Sequence, residues 1–342
     1  LGAVPGPAMR AAHEAVLAAE SPVRHGLQPE PEHFLGREAD VTGVLKALST
    51  HRLVTLTGPG GVGKTTLAQV VAARSRRPAV YVVALAEVSP GADLARVVLD
   101  AIGGSAVVNG DPHRDLAAAL SQPGTVLVLD NCEHLAGEAA DLIGPLLVAC
   151  PDLRVLATSR RPLDLAAEHI HRLEALDAAS SAELFRARAL AARPGQVIDD
   201  DDLGELLGRL EGIPLAIELA AARTRSLSVG QIAERLPGRP DLLTAARDAP
   251  ARQRTLTAVI EWSWNLLDAA ERRALARLAL LADGFTLVPA EALIGAQAAD
   301  LLDALVSHSL LVVRDHGLPR FHMLVTVRDF ALAQLSASGD EA

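Results

Sequence analysis

Gly58-Pro59-Gly60-Gly61-Val62-Gly63-Lys64-Thr65 follows the apolar run Leu53-Val54-Thr55-Leu56-Thr57 and opens a helical pattern. It meets the G-x-x-x-x-G-K-[ST] spacing of a phosphate-binding loop in the required setting, with a strand before it and a helix after it. Glycines let consecutive backbone N–H groups turn inward around phosphate oxygens, and the helix N-terminus adds a favourable potential for an anion. On that chemistry Lys64 reaches the β- and γ-phosphates and Thr65 holds Mg²⁺. Gly58, Pro59, Gly60, Gly61, Val62, Gly63 and Thr66 complete the cradle for ATP or ADP. The chain has just two lysines, Lys46 and Lys64, among 32 basic residues, and one of them occupies the loop.

Working outward, short apolar runs bounded by Gly, Pro and Asp recur at Ala79 to Leu85, Thr125 to Leu129 and Leu153 to Thr158, alternating with helical segments such as Asp93 to Ile102. Such runs mark strands buried on both faces of a parallel sheet, here a doubly wound α/β P-loop NTPase domain. A magnesium nucleotide needs an acidic ligand at the end of a neighbouring buried strand, and Asp130 closes Val126-Leu127-Val128-Leu129. Thr65 and Asp130 are therefore the metal-binding candidates. Asn131 stands where many such enzymes carry a carboxylate that activates water. It orients water without accepting a proton, so Glu133 is the nearest substitute. Arg160, after Thr158-Ser159, is the candidate sensor of the γ-phosphate. The catalytic candidates are thus Lys64, Asp130, Glu133 and Arg160.

Residues 1–32 read as an Ala-rich helix from Ala8 to Ala19 followed by a linker, since Ser21 to Glu32 holds three prolines among polar residues. The nucleotide-binding domain then spans 33–175. From Ala178 the strand signal stops. Ser180–Ala192, Asp202–Leu210, Leu215–Thr224 and Val229–Leu236 carry helical periodicity, giving a helical domain over 176–247. The rest, 248–342, reads as a winged-helix domain: three helices (Thr255–Leu267, Ala269–Leu281 and Ala299–Ser307) and a terminal hairpin turning at His316-Gly317. Trp262 and Trp264 point to different faces of one helix, and at least one belongs in a core.

Half of the 342 residues are hydrophobic, enough for a core in each domain, and the formal net charge is −10. That balance opposes a chain whose main task is gripping nucleic-acid phosphates. From Ala251 onward eight arginines face eleven acidic residues, a net of −3. DNA binding by this stretch itself is not expected. Cys132 and Cys150 lack metal-ligand spacing and suggest no disulfide framework. Every apolar run is broken well before the about 20 residues needed to span a bilayer, so no membrane partner is expected and the cytoplasm is the simplest compartment.

The combination of Phe34-Leu35-Gly36-Arg37-Glu38, the P-loop, Val128-Leu129-Asp130-Asn131-Cys132-Glu133-His134, Leu156-Ala157-Thr158-Ser159-Arg160 and Gly212-Ile213-Pro214-Leu215-Ala216 resembles the NB-ARC module of STAND signalling ATPases. It is most similar to the version in large bacterial transcriptional regulators, including the AfsR-like members of the SARP antibiotic-regulator family. The resemblance runs from about Phe34 to Leu335. Leu1 to Arg10 is similar to the end of the helical activation domain preceding the ATPase in those regulators. The resemblance implies that Arg37 contacts adenine and that Pro214 closes the pocket. It also implies DNA-binding and activation domains upstream, sensor repeats downstream and self-association in the ATP state. Family members carry a Met-His-Asp motif whose histidine touches the β-phosphate of ADP. The corresponding stretch here is Met323-Leu324-Val325, which lacks that histidine, and His322 is the adjacent candidate.

These readings converge on an ATP/ADP-dependent switch of a transcriptional regulator with slow ATP hydrolysis. A winged-helix DNA-binding protein with accessory nucleotide binding and a P-loop small-molecule kinase are the alternatives.

Overall fold

In a computed structural model, residues 22–31, 34–104, 110–236, 243, 255–281, 284–315 and 318–338 are described. The expected Ala8–Ala19 helix, the Leu1–Arg10 stretch and the His316-Gly317 turn lie outside them. The chain divides into two compact units, and it does so inside the P-loop. Asp40–Leu56 and Thr65–His171 fall in the first unit, whereas Pro31–Ala39, Thr57–Lys64 and the chain from Arg172 fall in the second.

The first unit is built on a sheet of six strands: β1 (Val23–His25), β2 (Leu53–Thr57), β3 (Ala79–Ala84), β4 (Thr125–Asp130), β5 (Arg154–Thr158) and β6 (Glu168–Arg172), in the order β1-β3-β4-β5-β2-β6. The pairs β1–β3, β3–β4, β4–β5 and β2–β5 are parallel. Every residue of β2 and β4 is buried, as expected of continuous apolar runs covered on both faces. The covering helices include α1 (Glu38–Thr50), α2 (Lys64–Arg74), α3 (Leu94–Ala101), α4 (Pro112–Leu120) and α5 (Ala136–Ala149). Asp93 caps α3 by accepting the Arg96 N–H, and Asp111 caps α4 by accepting the His113 N–H with Pro112 in the first turn. Leu99, Leu116, Leu127, Leu142 and Val155 join one apolar cluster between sheet and helices.

Two strands depart from the sequence reading. The proline-bearing stretch read as linker contains β1, whose Val23 N–H donates to the Pro78 carbonyl at 2.8 Å. Glu168-His169-Ile170-His171-Arg172 forms β6 at the opposite edge of the sheet, although its polar composition carries no strand signal. In both, pairing to a neighbouring strand overrides local composition.

The second unit is mainly helical: α6 (Ala178–Ala192), α7 (Asp200–Leu210), α8 (Pro214–Arg223), α9 (Val229–Arg235), α10 (Leu256–Asn265), α11 (Ala269–Leu278), α12 (Leu287–Ile294), α13 (Ala298–Ser307) and α14 (Val325–Ser338), with the antiparallel pair β7 (Leu311–Asp315) and β8 (Pro319–Met323). Capping boxes at Ser228/Gln231 and Asp268/Glu271 fix the starts of α9 and α11. Asp199 accepts the N–H groups of Asp201 and Asp202, and three acidic residues in the first turn of α7 complement its dipole. Phe185 is fully buried in a cluster that extends to Phe330. Trp264 meets Phe330 edge to face at 5.7 Å, so it is the tryptophan that joins the core. The hairpin expected to end the domain is followed instead by α14.

Candidate functional site

In the first unit, β4 ends on Asp130, which is 5% exposed. Its Oδ1 accepts two hydroxyl protons, from Thr65 at 2.7 Å and from Thr158 at 2.6 Å. Parallel register explains the meeting: Leu129 pairs with Ala157, so the residues following them, Asp130 and Thr158, emerge side by side at the carboxyl end of the sheet. Asn131 then turns into the left-handed region, φ 75° and ψ 49°, a conformation asparagine tolerates. That turn aims its N–H at Thr158 Oγ1, 2.9 Å away, and its side-chain amide at Glu133 Oε1, 3.0 Å away. Arg160 Nε donates to the same Glu133 oxygen at 3.2 Å. Glu133 and Arg160 are 6% and 7% exposed, so this is a buried ion pair and not a solvated surface carboxylate.

Cys132, between Asp130 and Glu133, is fully buried. Burial, and then the adjacent carboxylates, push its thiol well above its ordinary pKa. It stays protonated and packs as a small apolar residue, with Sγ against the Leu129 carbonyl.

In the second unit, Lys64 Nζ donates to the carbonyls of Gly58 at 2.7 Å and Pro59 at 3.0 Å. Arg37, 7% exposed, donates through a terminal guanidinium nitrogen to the Val62 carbonyl at 3.1 Å. The Leu215 N–H donates to the Gly61 carbonyl at 3.2 Å, one residue past Pro214 at the start of α8. Gly61 lies at φ +79°, where a Cβ would come within 3.0 Å of Leu215 Cβ. His322 takes a different neighbour: its ring lies over Gly284, where a Cβ would meet it at 2.4 Å.

Within the first unit, two residues fit the metal of a magnesium nucleotide. Thr65 and Asp130 bring two hard oxygens together, the donor type Mg²⁺ prefers. Gly63, at φ +101°, has nothing within 4 Å of a Cβ position, which leaves the loop backbone open to phosphate. Thr158 is the member of the network absent from the sequence-derived candidates. Its signal is a hydroxyl at the end of a buried strand beside the one carrying Asp130, where a polar group must find a partner.

Rv0894 of Mycobacterium tuberculosis is 37% identical over 335 residues, covering 93% of this chain and 85% of its own length. The chain belongs to the Rv0894 family. Two domain profiles match the Rv0894-family chain: an AAA domain over residues 46–161 and a winged helix-turn-helix domain over 267–336. "Putative HTH-type transcriptional regulator Rv0890c" of the same organism is 40% identical over 306 residues, 86% of this chain but 35% of the relative. The chain therefore spans about a third of that relative's length. Regulatory protein AfsR of Streptomyces griseus is 32% identical over 326 residues, 88% of this chain and 32% of AfsR, so the resemblance to AfsR-like regulators holds. Among solved structures, the Walker-type ATPase paby2304 of Pyrococcus abyssi superposes with a TM-score of 0.58 at 15% identity, covering 91% of this chain and 98% of its own. The Rv0894-family chain thus has a P-loop ATPase fold followed by a helical region and a winged helix. Among the described residues no helix is long and apolar enough to cross a membrane.

Proposed function

We propose that the chain is the nucleotide-dependent switch of a transcriptional regulator, in which occupancy by ATP or ADP with Mg²⁺ biases the arrangement of the domains attached to it. The observation that carries this reading is the Leu215 N–H on the Gly61 carbonyl. A residue of the helical region is hydrogen-bonded to the phosphate-binding loop itself, so a change at the loop is felt directly by α8. A ligand shifts such an equilibrium only through unequal contacts with the two states, and this bond is one contact that can differ.

The nucleotide supplies a triphosphate or diphosphate and, with it, the metal. The chain's own residues do the rest. Lys64 and the loop N–H groups bind phosphate oxygens, Thr65 and Asp130 hold Mg²⁺, and Arg160 reads the terminal phosphate. Arg37 serves the adenine end, Pro214 closes the pocket, and His322 is the remaining candidate for contact with ADP. Slow hydrolysis is supported by Asn131, which cannot take a proton from water, and by Glu133, whose Oε1 already accepts from Asn131 and Arg160. DNA-binding and activation domains before this stretch, sensor repeats after it, self-association in the ATP state and a cytoplasmic location belong to the same proposal. The similarity to AfsR supports it.

The test is to denature the purified chain, identify the nucleotide it releases, and then follow turnover with Mg-ATP. Bound ADP and a rate below about 10⁻² s⁻¹, in the range of unassisted P-loop switches, are expected. Lys64→Ala is expected to lose nucleotide by about 100-fold, the loss of a charge-assisted phosphate contact. Continuous turnover faster than about 1 s⁻¹, as in kinases, would sink the switch reading.

A further inference from the structure

Six side chains and one backbone N–H in the first unit form an unbroken line of hydrogen bonds. Thr65 and Thr158 both donate to Asp130 Oδ1, Thr158 accepts from the Asn131 N–H, the Asn131 amide donates to Glu133, and Arg160 donates to the same Glu133 oxygen. One end of the line is the pair that fits a metal, and the other end is the guanidinium that fits a phosphate. We infer that Glu133 is a positioning residue for Arg160, and that through Asn131 and Thr158 it ties the aim of that arginine to the metal ligand Asp130, so that the chain distinguishes ATP from ADP by way of Glu133.

Three features of the geometry carry this. An arginine has many rotamers, and one that reads a terminal phosphate must be held in a single orientation before the ligand arrives. Arg160 has the burial and the charged partner that hold it. Glu133 spends the same oxygen on two donors, which suits an anchor better than a group poised to receive a proton from water. Asn131 occupies a left-handed position that lets one residue address Thr158 with its backbone and Glu133 with its side chain. An aspartate there would set a carboxylate against Glu133, which explains the amide at this position. A cation on Asp130 competes for Oδ1 with the Thr65 and Thr158 protons, so metal occupancy is felt at Thr158 and passed along the line.

The inference rests on the switch reading, because it requires that the chain bind nucleotide at all. The test is equilibrium binding of Mg-ADP and of the non-hydrolysable analogue Mg-AMP-PNP to the full chain, with no turnover required. Glu133→Gln is expected to weaken AMP-PNP by at least tenfold while ADP stays within twofold of wild type. Arg160→Gln is expected to do the same, and Glu133→Gln added to Arg160→Gln is expected to change neither affinity further, as for two residues acting through one contact. The double variant replaces the buried ion pair by two neutral amides and guards against a fold lost to one unpaired charge. Asn131→Gly keeps the left-handed turn, deletes the amide and is expected to give a smaller loss of AMP-PNP affinity in the same direction.

A Glu133→Gln chain with unchanged affinity for both ligands overturns the inference, as does equal weakening of both or a full additional loss in the Arg160→Gln background. Wild-type chain that binds neither ligand overturns the switch reading itself. Wild type that binds both while Glu133→Gln has no effect overturns only the role given to Glu133.

Discussion

Leu215 and Gly61 approach each other twice: the Leu215 N–H donates to the Gly61 carbonyl at 3.2 Å, and the Leu215 side chain fills the space where a Gly61 Cβ would stand. Gly61→Ala therefore meets two obstacles, a left-handed backbone and a contact at 3.0 Å. The conformational part alone costs about 1–2 kcal/mol, so nucleotide affinity is expected to fall roughly tenfold or more. Gly63→Ala separates the two effects, because its backbone is also left-handed yet its Cβ meets nothing within 4 Å. Leu215→Gly, which removes the Cβ that makes the 3.0 Å contact, combined with Gly61→Ala is expected to recover the steric part only. Titration calorimetry with ADP on the three variants checks this, and a Gly61→Ala chain no weaker than Gly63→Ala would show that Leu215 is not in the way.

Thr158 holds Asp130 and Asn131 with one hydroxyl, donating to the first and accepting from the second. Thr158→Val keeps the shape and removes both bonds. A buried donor left without an acceptor costs about 1–3 kcal/mol, and the low end applies because Asn131 is only partly buried. Urea unfolding is expected to show that loss, with Thr158→Ser returning most of it. The Mg²⁺ concentration for half-maximal nucleotide binding is expected to fall in the valine variant alone, since a cation no longer competes with the Thr158 proton for Asp130 Oδ1.

What the sequence shows directly is what local pattern can carry. The P-loop is contiguous, sits between a strand and a helix, and announces itself in eight residues. Asp130 is legible for the same reason, at the end of an all-apolar run. The ion pair of Glu133 with Arg160 is not, because it depends on β4 and β5 lying side by side with the register that aligns Leu129 with Ala157, a relation between residues far apart in the chain. β6 and α14 are both missed. Glu168 to Arg172 is polar and becomes a strand at a sheet edge. Val325 to Ser338 lies beyond the hairpin on which the sequence reading ends the domain, and it forms a helix that buries Val327, Phe330 and Ala331. Tertiary packing outweighs propensities of a few tenths of a kcal/mol per residue.

The edge position of β1 gives a direct test of the segment read as linker. Val23→Pro removes the N–H that donates to the Pro78 carbonyl, and a proline there cannot be replaced by another donor. About 1 kcal/mol of stability is expected to be lost, the net value of one backbone hydrogen bond. Arg24 adds contacts to the carbonyls of Ser75 and Pro78, so Arg24→Ala is expected to deepen the effect. Thermal unfolding followed by circular dichroism reads both, and a Val23→Pro chain as stable as wild type would mean that β1 contributes nothing to the sheet.

At the other edge, His169 on β6 stacks on His51 with ring centroids 4.2 Å apart, beside His171, which bonds Asp40 at 3.1 Å. Burial, then the neighbouring His51 and His171, lower the pKa of His169 below its ordinary value of 6.5. The sign of the pH effect follows. As pH falls through about 6.5 the unfolded chain protonates this histidine while the folded chain still keeps it neutral. The unfolded state then binds more protons, so stability contributed by His169 is present above the unfolded pKa and is lost as pH drops toward the lowered folded one. Melting temperature is expected to decline between pH 7 and 5 more steeply in wild type than in His169→Gln, which keeps a polar side chain without the titration. His51→Gln is expected to flatten the decline partially, because it removes the second of the three causes and leaves burial in place. Equal slopes in wild type and His169→Gln would show that His169 titrates as it does in the unfolded chain.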